Sequence, residues 1–153
     1  MTTKRLYAAA VFVGMVGVAV LAQSSDPLVG TWKLNAAKSK GAKSGSTTIE
    51  AAGKGIKFTV DLVTDDGATS HWGFTANYDG KDVPVTGSGP YGDTVAVTRV
   101  DERTTRLTSK NKGKVTATST IVVAPDGKTR TTTTTGTDAK GQKVDAVSLY
   151  EKQ

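Results

Sequence analysis

From Leu28 to the C terminus, the chain is cut at short, regular intervals by turn signals, and nothing else constrains its fold as much. The signals are Gly53-Lys54-Gly55, Asp65-Asp66-Gly67, Asp79-Gly80, Lys112-Gly113, Pro125-Asp126-Gly127 and Lys140-Gly141. Each supplies a glycine for a positive φ, or an aspartate that closes a turn onto its own backbone. The runs between them have strand length. They are rich in β-branched residues, with 25 threonines and 18 valines in a chain of 153, and these fit a pleated surface better than a helix. The spacing predicts ten strands, over 28–36, 46–52, 55–64, 69–78, 82–86, 93–100, 104–110, 114–123, 128–136 and 142–151. No segment after the first two dozen residues has a helical period. Short links favour antiparallel neighbours, hence a meander. The expected fold is all-β, an up-and-down meander closed into a barrel, because closure removes exposed strand edges. A sandwich is the alternative.

Alternation assigns the faces. Ile56, Phe58, Val60 and Leu62 share one face of the third strand. Trp72, Phe74, Ala76 and Tyr78 point inward from the fourth, which sends His71 outward. Val83 and Val85 point in, as do Val95 and Val97. In the eighth strand Val115, Ala117, Ser119 and Ile121 share a face. The first half of the chain thus supplies large apolar side chains, and the second half small or polar ones. The ninth strand is the extreme case, Lys-Thr-Arg followed by five threonines from Thr131 to Thr135. Either it stands beside a thinly filled wall, or it lines a cavity.

The first 22 residues read as an address. Lys4 and Arg5 precede an uncharged apolar run from Leu6 to Ala22, and Gln23 to Pro27 are polar and turn-prone. This is the layout of a secretory signal peptide cut after Ala22. It leaves residues 23–153 as a single domain, periplasmic or secreted, with no stable membrane span after cleavage. The competing reading is an uncleaved anchor, at the short limit for crossing a bilayer. Cleavage lowers the formal charge from +6 to +4. The remaining basic residues are scattered at turns, apart from Lys38, Lys40 and Lys43, so no nucleic-acid partner is expected.

Composition also bears on chemistry. The chain has no cysteine and one histidine, which removes disulfides, thiol nucleophiles and multi-histidine metal sites. His71 is flanked by Ser70, and neighbours on a strand point to opposite faces, so the two cannot share a proton as nucleophile and base. Asp65, Asp66, Asp79 and Asp126 sit in turns, where aspartate closes the backbone. No nucleotide fingerprint or calcium loop is present. No enzymatic activity, cofactor or metal is expected.

The two ends of the expected domain carry a resemblance. Leu28-Val29-Gly30-Thr31-Trp32-Lys33-Leu34 opens it, and Val147-Ser148-Leu149-Tyr150-Glu151-Lys152-Gln153 closes it. Gly30-x-Trp32 resembles the first-strand motif of the calycin superfamily, which includes lipocalins and fatty-acid-binding proteins. The Leu-Tyr-Glu-Lys ending is similar to the last strand of the latter. The opening is also similar to small exported lipocalin-like bacterial proteins that begin Gly-Thr-Trp-Lys-Leu-Asn. The resemblance implies a barrel in which Trp32 plugs the closed end and Gly30 belongs to the same structural motif. It also implies a carrier of a small apolar or amphipathic ligand. Two departures stand out. The inward Arg-x-Tyr that holds a carboxylate in fatty-acid-binding proteins is replaced by Ser148 and Tyr150. The stretch from Ala36 to Gly45 is too short and glycine-broken for the usual pair of lid helices. Arg99 continues the inward row of Val95 and Val97, and either replaces the lost charge, reaches solvent, or stacks on Trp32. The candidate ligand contacts are Phe58, Trp72, Phe74, Tyr78, Arg99, Ser148 and Tyr150. Gly87 to Gly92 is a flexible connection that either flanks a cavity mouth, with Tyr91 as its gate, or merely links strands. The alternative to a carrier is a barrel filled by its own side chains, working as an envelope or extracellular interaction or inhibitor protein.

Overall fold

Eleven strands form among the described residues, and ten of them answer to the expected ones. The computed structural model describes residues 25–153. The apolar address and its cleavage point lie outside the described residues. The strands are β1 Gly30–Leu34, β2 Ala42–Ala52, β3 Gly55–Thr64, β4 Thr69–Asn77, β5 Asp79–Pro84, β6 Thr86–Gly87, β7 Thr94–Arg99, β8 Thr104–Asn111, β9 Lys114–Val123, β10 Thr129–Thr137 and β11 Lys143–Lys152. Glycines of the turn signals take positive φ, as at Gly53 (57°) and Gly80 (73°). The only described helix is the 3-10 turn Ala36–Lys38, capped by the Asn35 side chain, which accepts from the Lys38 amide. No described helix is long and apolar enough to cross a membrane.

All eleven strands belong to one antiparallel sheet of order β5-β7-β8-β9-β10-β11-β1-β2-β3-β4-β6. The two edge strands are parts of one stretch of chain. β5 pairs with β7, and two residues later β6 pairs with β4, Trp72 opposite Gly87 and Gly73 opposite Thr86. The stretch from Asp79 to Gly87 therefore joins the two edges, and the sheet is a nearly closed barrel rather than a sandwich. The extra strand arises here. The chain must leave one partner before reaching the other, so the expected strand over 82–86 is broken at Val85.

The apolar rows meet inside. Ile56, Phe58, Val60, Phe74, Ala76, Val95 and Val97 are buried, and Leu62, Trp72, Tyr78, Val83 and Val85 pack against them. Truncating one such large side chain to alanine typically costs about 2–5 kcal/mol. His71 is outside, on Asp61 of the neighbouring strand at 2.6 Å. One member of an expected shared face departs from it. Val115 is 62% exposed. The β8–β9 register shifts between Ser109 and Lys110, so that Ala117 faces Ser109 but Val115 faces Lys110. A bulge of this kind breaks the two-residue period, and the face read from Ala117 to Ile121 does not extend past Thr116.

The ends of the barrel differ. Asp26 to Val29 turn beneath the closed end, where Leu28 is buried and its carbonyl accepts from Trp32 Nε1 at 2.9 Å. Trp32 is fully buried. Gly30, at φ 142°, has no Cβ, and a Cβ there would lie 2.6 Å from Lys152 Cε. The space lets Lys152 pass over Gly30 and place its ammonium 5.1 Å from the Trp32 ring centre. The opposite end carries the links 35–41, 65–68, 88–93 and 138–142, and it opens inward.

Candidate functional site

The inner wall of the second half of the sheet is polar, and the polar rows do not fill the barrel. On β10 the inward residues are Arg130, Thr132 and Thr134. On β11 they are Val144, Ala146, Ser148 and Tyr150. The register sets Arg130 opposite Tyr150, Thr132 opposite Ser148 and Thr134 opposite Ala146. Across from them stand Phe58, Val60, Leu62 and Trp72. Between the two walls lies a cavity of about 300 Å³. Lys40, Pro90, Tyr91 and Asp138 stand at its mouth. The link from Ser88 to Asp93 is held across that mouth: Pro90 O accepts from the Ala139 amide at 2.9 Å, and Tyr91 O from the Thr116 hydroxyl. Ser119 and Thr134 share a hydrogen bond of 2.8 Å on the wall below.

Arg130 forms the floor. It is 2% exposed. Its guanidinium carbon lies 4.0 Å from the Tyr150 ring centre, 5.4 Å from that of Trp32 and 5.9 Å from that of Phe58. Nη1 donates to the Thr132 hydroxyl at 2.9 Å, and Nε has no acceptor. Among the described residues no carboxylate pairs with it. Burial pulls the guanidinium down to about 10, with Tyr150 opposing, so it remains a cation at neutral pH. Burial pushes the Tyr150 phenol up, and Arg130 and a hydrogen bond with Thr47 pull the other way. Tyr91 is raised in the same manner, burial being the largest cause. Both phenols are neutral donors at physiological pH. The floor thus offers a cation and the hydroxyls of Tyr150 and Thr132, with no carboxylate of the described residues beside them. A buried charge without a counter-charge is unfavourable unless something pairs with it.

The residues expected from sequence are not all brought together. Phe58, Trp72, Ser148 and Tyr150 lie on the cavity wall. Phe74 stacks on Phe58, centroids 5.1 Å apart and rings within 6° of parallel, as core beside the cavity. Tyr78 and Arg99 lie at the closed end. Arg99 pairs with Asp26, its guanidinium carbon is 4.0 Å from the Tyr78 ring centre, and Tyr78 donates to the same Asp26 carboxylate. Arg99 therefore neither reaches the cavity nor stacks on Trp32. It is a strand-end residue whose neighbour, the N-terminal segment, lies at that end. Arg130 was missed. The signal for it was its parity with Thr132 and Thr134 on one side of the threonine-rich strand, the side that a cavity would need. Gly30 and Trp32 occupy the closed-end positions that the motif implies, and Tyr91 is at the mouth.

No protein-family model matches the chain, and no curated protein matches it by sequence. Among solved structures, the chain is similar to zebrafish ileal bile-acid-binding protein, crystallised with cholic acid, with a TM-score of 0.52 and 14% identity. The match covers 83% of this chain and 99% of the other. The likeness is one of architecture, and with the barrel, its plugged end and its open mouth it shows that the chain has the calycin fold.

Proposed function

We propose that the protein is a non-enzymatic carrier that takes one small amphipathic molecule into the barrel, with an anionic head on Arg130 and an apolar body along Phe58, Val60, Leu62 and Trp72. The observation that carries this is the guanidinium itself, buried at the cavity floor with its Nε unpaired and no carboxylate of the described residues against it. Arginine binds carboxylates through two parallel hydrogen bonds, and such an anion supplies the missing charge. The apolar wall opposite suits the rest of the ligand. The similar zebrafish protein was crystallised with cholic acid, an amphipathic carboxylic acid, which supports the same reading. The open volume argues against a barrel filled by its own side chains.

The test is calorimetric titration with dodecanoate and with dodecanol, on the parent and on Arg130→Met. The parent is expected to bind dodecanoate at least about tenfold more tightly than dodecanol, since hydrogen bonds to charged groups are worth about 1.5–3 kcal/mol. Arg130→Met is expected to lose that preference. Equal affinity of parent and variant for dodecanoate would overturn the assignment of the head.

The carrier is exported, with the address removed after Ala22. Intact mass of protein recovered from the native envelope is expected to begin at Gln23. A mass that retains residues 1–22 would make the segment an anchor.

A further inference from the structure

A second unpaired donor stands on the same cavity wall. Trp72 Nε1 is shut off from solvent and has no acceptor among the described residues. Trp32 Nε1, by contrast, is satisfied by Leu28 O at 2.9 Å. Buried indole N–H groups usually find a partner, and one left without is unfavourable. Trp72 also borders a recess of about 20 Å³ that shares Tyr91, Leu107 and Ser119 with the main cavity. That is room for roughly one oxygen-sized group. Phe58 links the two donors. Its ring centre is 5.9 Å from the Arg130 guanidinium carbon and 6.1 Å from the Trp72 ring centre, so guanidinium and indole are no further apart than those two steps together.

We infer that the cavity holds its ligand at two polar points, the Arg130 guanidinium and the Trp72 indole N–H, and that the ligand is a carboxylate bearing a mid-chain keto or hydroxyl oxygen. The inference rests on the carrier reading and narrows it. A plain alkyl carboxylate leaves the indole N–H unanswered. A ligand with an acceptor partway along its body satisfies both donors at once, and the site then discriminates by what the wrong ligand leaves unpaired.

The probes are dodecanoate and its oxo derivatives, with one keto group on carbon five, seven or nine. Trp32 and Trp72 are the only tryptophans, so the indole region of a proton–nitrogen correlation spectrum contains two signals. The best oxo derivative is expected to bind the parent about five- to tenfold more tightly than dodecanoate. It is expected to move the Trp72 indole proton downfield and leave that of Trp32 in place. In Trp72→Phe the two ligand types are expected to bind with equal affinity, whatever that affinity is, because only the oxo group's partner has been removed while the apolar contact is lost to both alike. Equal binding of both types by the parent, with an unmoved Trp72 signal, overturns this inference and leaves the carrier standing; a trapped water on the indole gives that result. Failure of every probe to bind overturns both.

Discussion

A guanidinium as deeply buried as that of Arg130 is costly to the fold. The effective penalty for taking an ion out of water is several kcal/mol. Its stacking on Tyr150 returns about 0.5–2 kcal/mol, and its bond to Thr132 about as much as one ordinary hydrogen bond. Methionine at the same place has similar length and no charge. Arg130→Met is therefore expected to melt at the same temperature as the parent or higher, while anion binding is lost. A loss of several degrees in Arg130→Met would mean that the arginine is a structural prop for Trp32 and Tyr150 rather than a ligand group. Trp72 poses the same question in milder form, a single N–H group instead of a charge.

At the scale of elements, the segment from Asp26 to Val29 is a plug under the closed end. One Asp26 carboxylate oxygen accepts from Arg99 and Tyr78, and the other from the Leu28 amide at 2.9 Å. Leu28 in turn holds Trp32 through its carbonyl. Arg99 and Asp26 are each about a fifth exposed, so solvent and salt screen their pair less than a surface one. Asp26→Asn is expected to destabilise the fold by about 1–3 kcal/mol in urea denaturation, because it leaves a largely buried guanidinium without its anion. Ligand affinity should not change, since the cavity lies toward the other end. A parallel loss of affinity would show that the two ends are coupled.

For the whole molecule, the described ionisable groups set the response to alkali. Burial raises the phenols of Tyr78, Tyr91 and Tyr150 above the ordinary value of 10, with Asp26 adding to the effect at Tyr78. An unfolded chain releases these protons near pH 10 and the native protein keeps them. Above pH 10 the native state binds more protons, so the stability these groups contribute falls as pH rises. Arg130 acts in the opposite sense, because its native value of about 10 lies below its ordinary 12.5. Three groups against one give a net loss. Thermal melts from pH 8 to 11.5 are expected to be flat to about pH 10 and to decline beyond it. A rise above pH 10 would mean that neutralising Arg130 outweighs the three phenols.

Strands, turns and most inward faces were legible because they depend on near neighbours. A glycine that turns, a β-branched run and a two-residue period act over a few residues, and Phe58, Val60, Val95 and Val97 lie where that period puts them. The ends of the chain were legible as a motif, with Gly30 and Trp32 at the plugged end. What only the tertiary structure decided depends on which strands lie side by side. The bulge opposite Ser109 turned Val115 outward, and nothing in its own strand marks it. The register of β10 against β11 set Arg130 beside Tyr150, so the charge absent from position 148 came from the neighbouring strand. The partner of Arg99 lay some seventy residues earlier in the chain, at Asp26. Alternation says that a side chain points inward. Whether it then meets core, plug or cavity is set by contacts between residues far apart in sequence, and a local pattern carries no record of those.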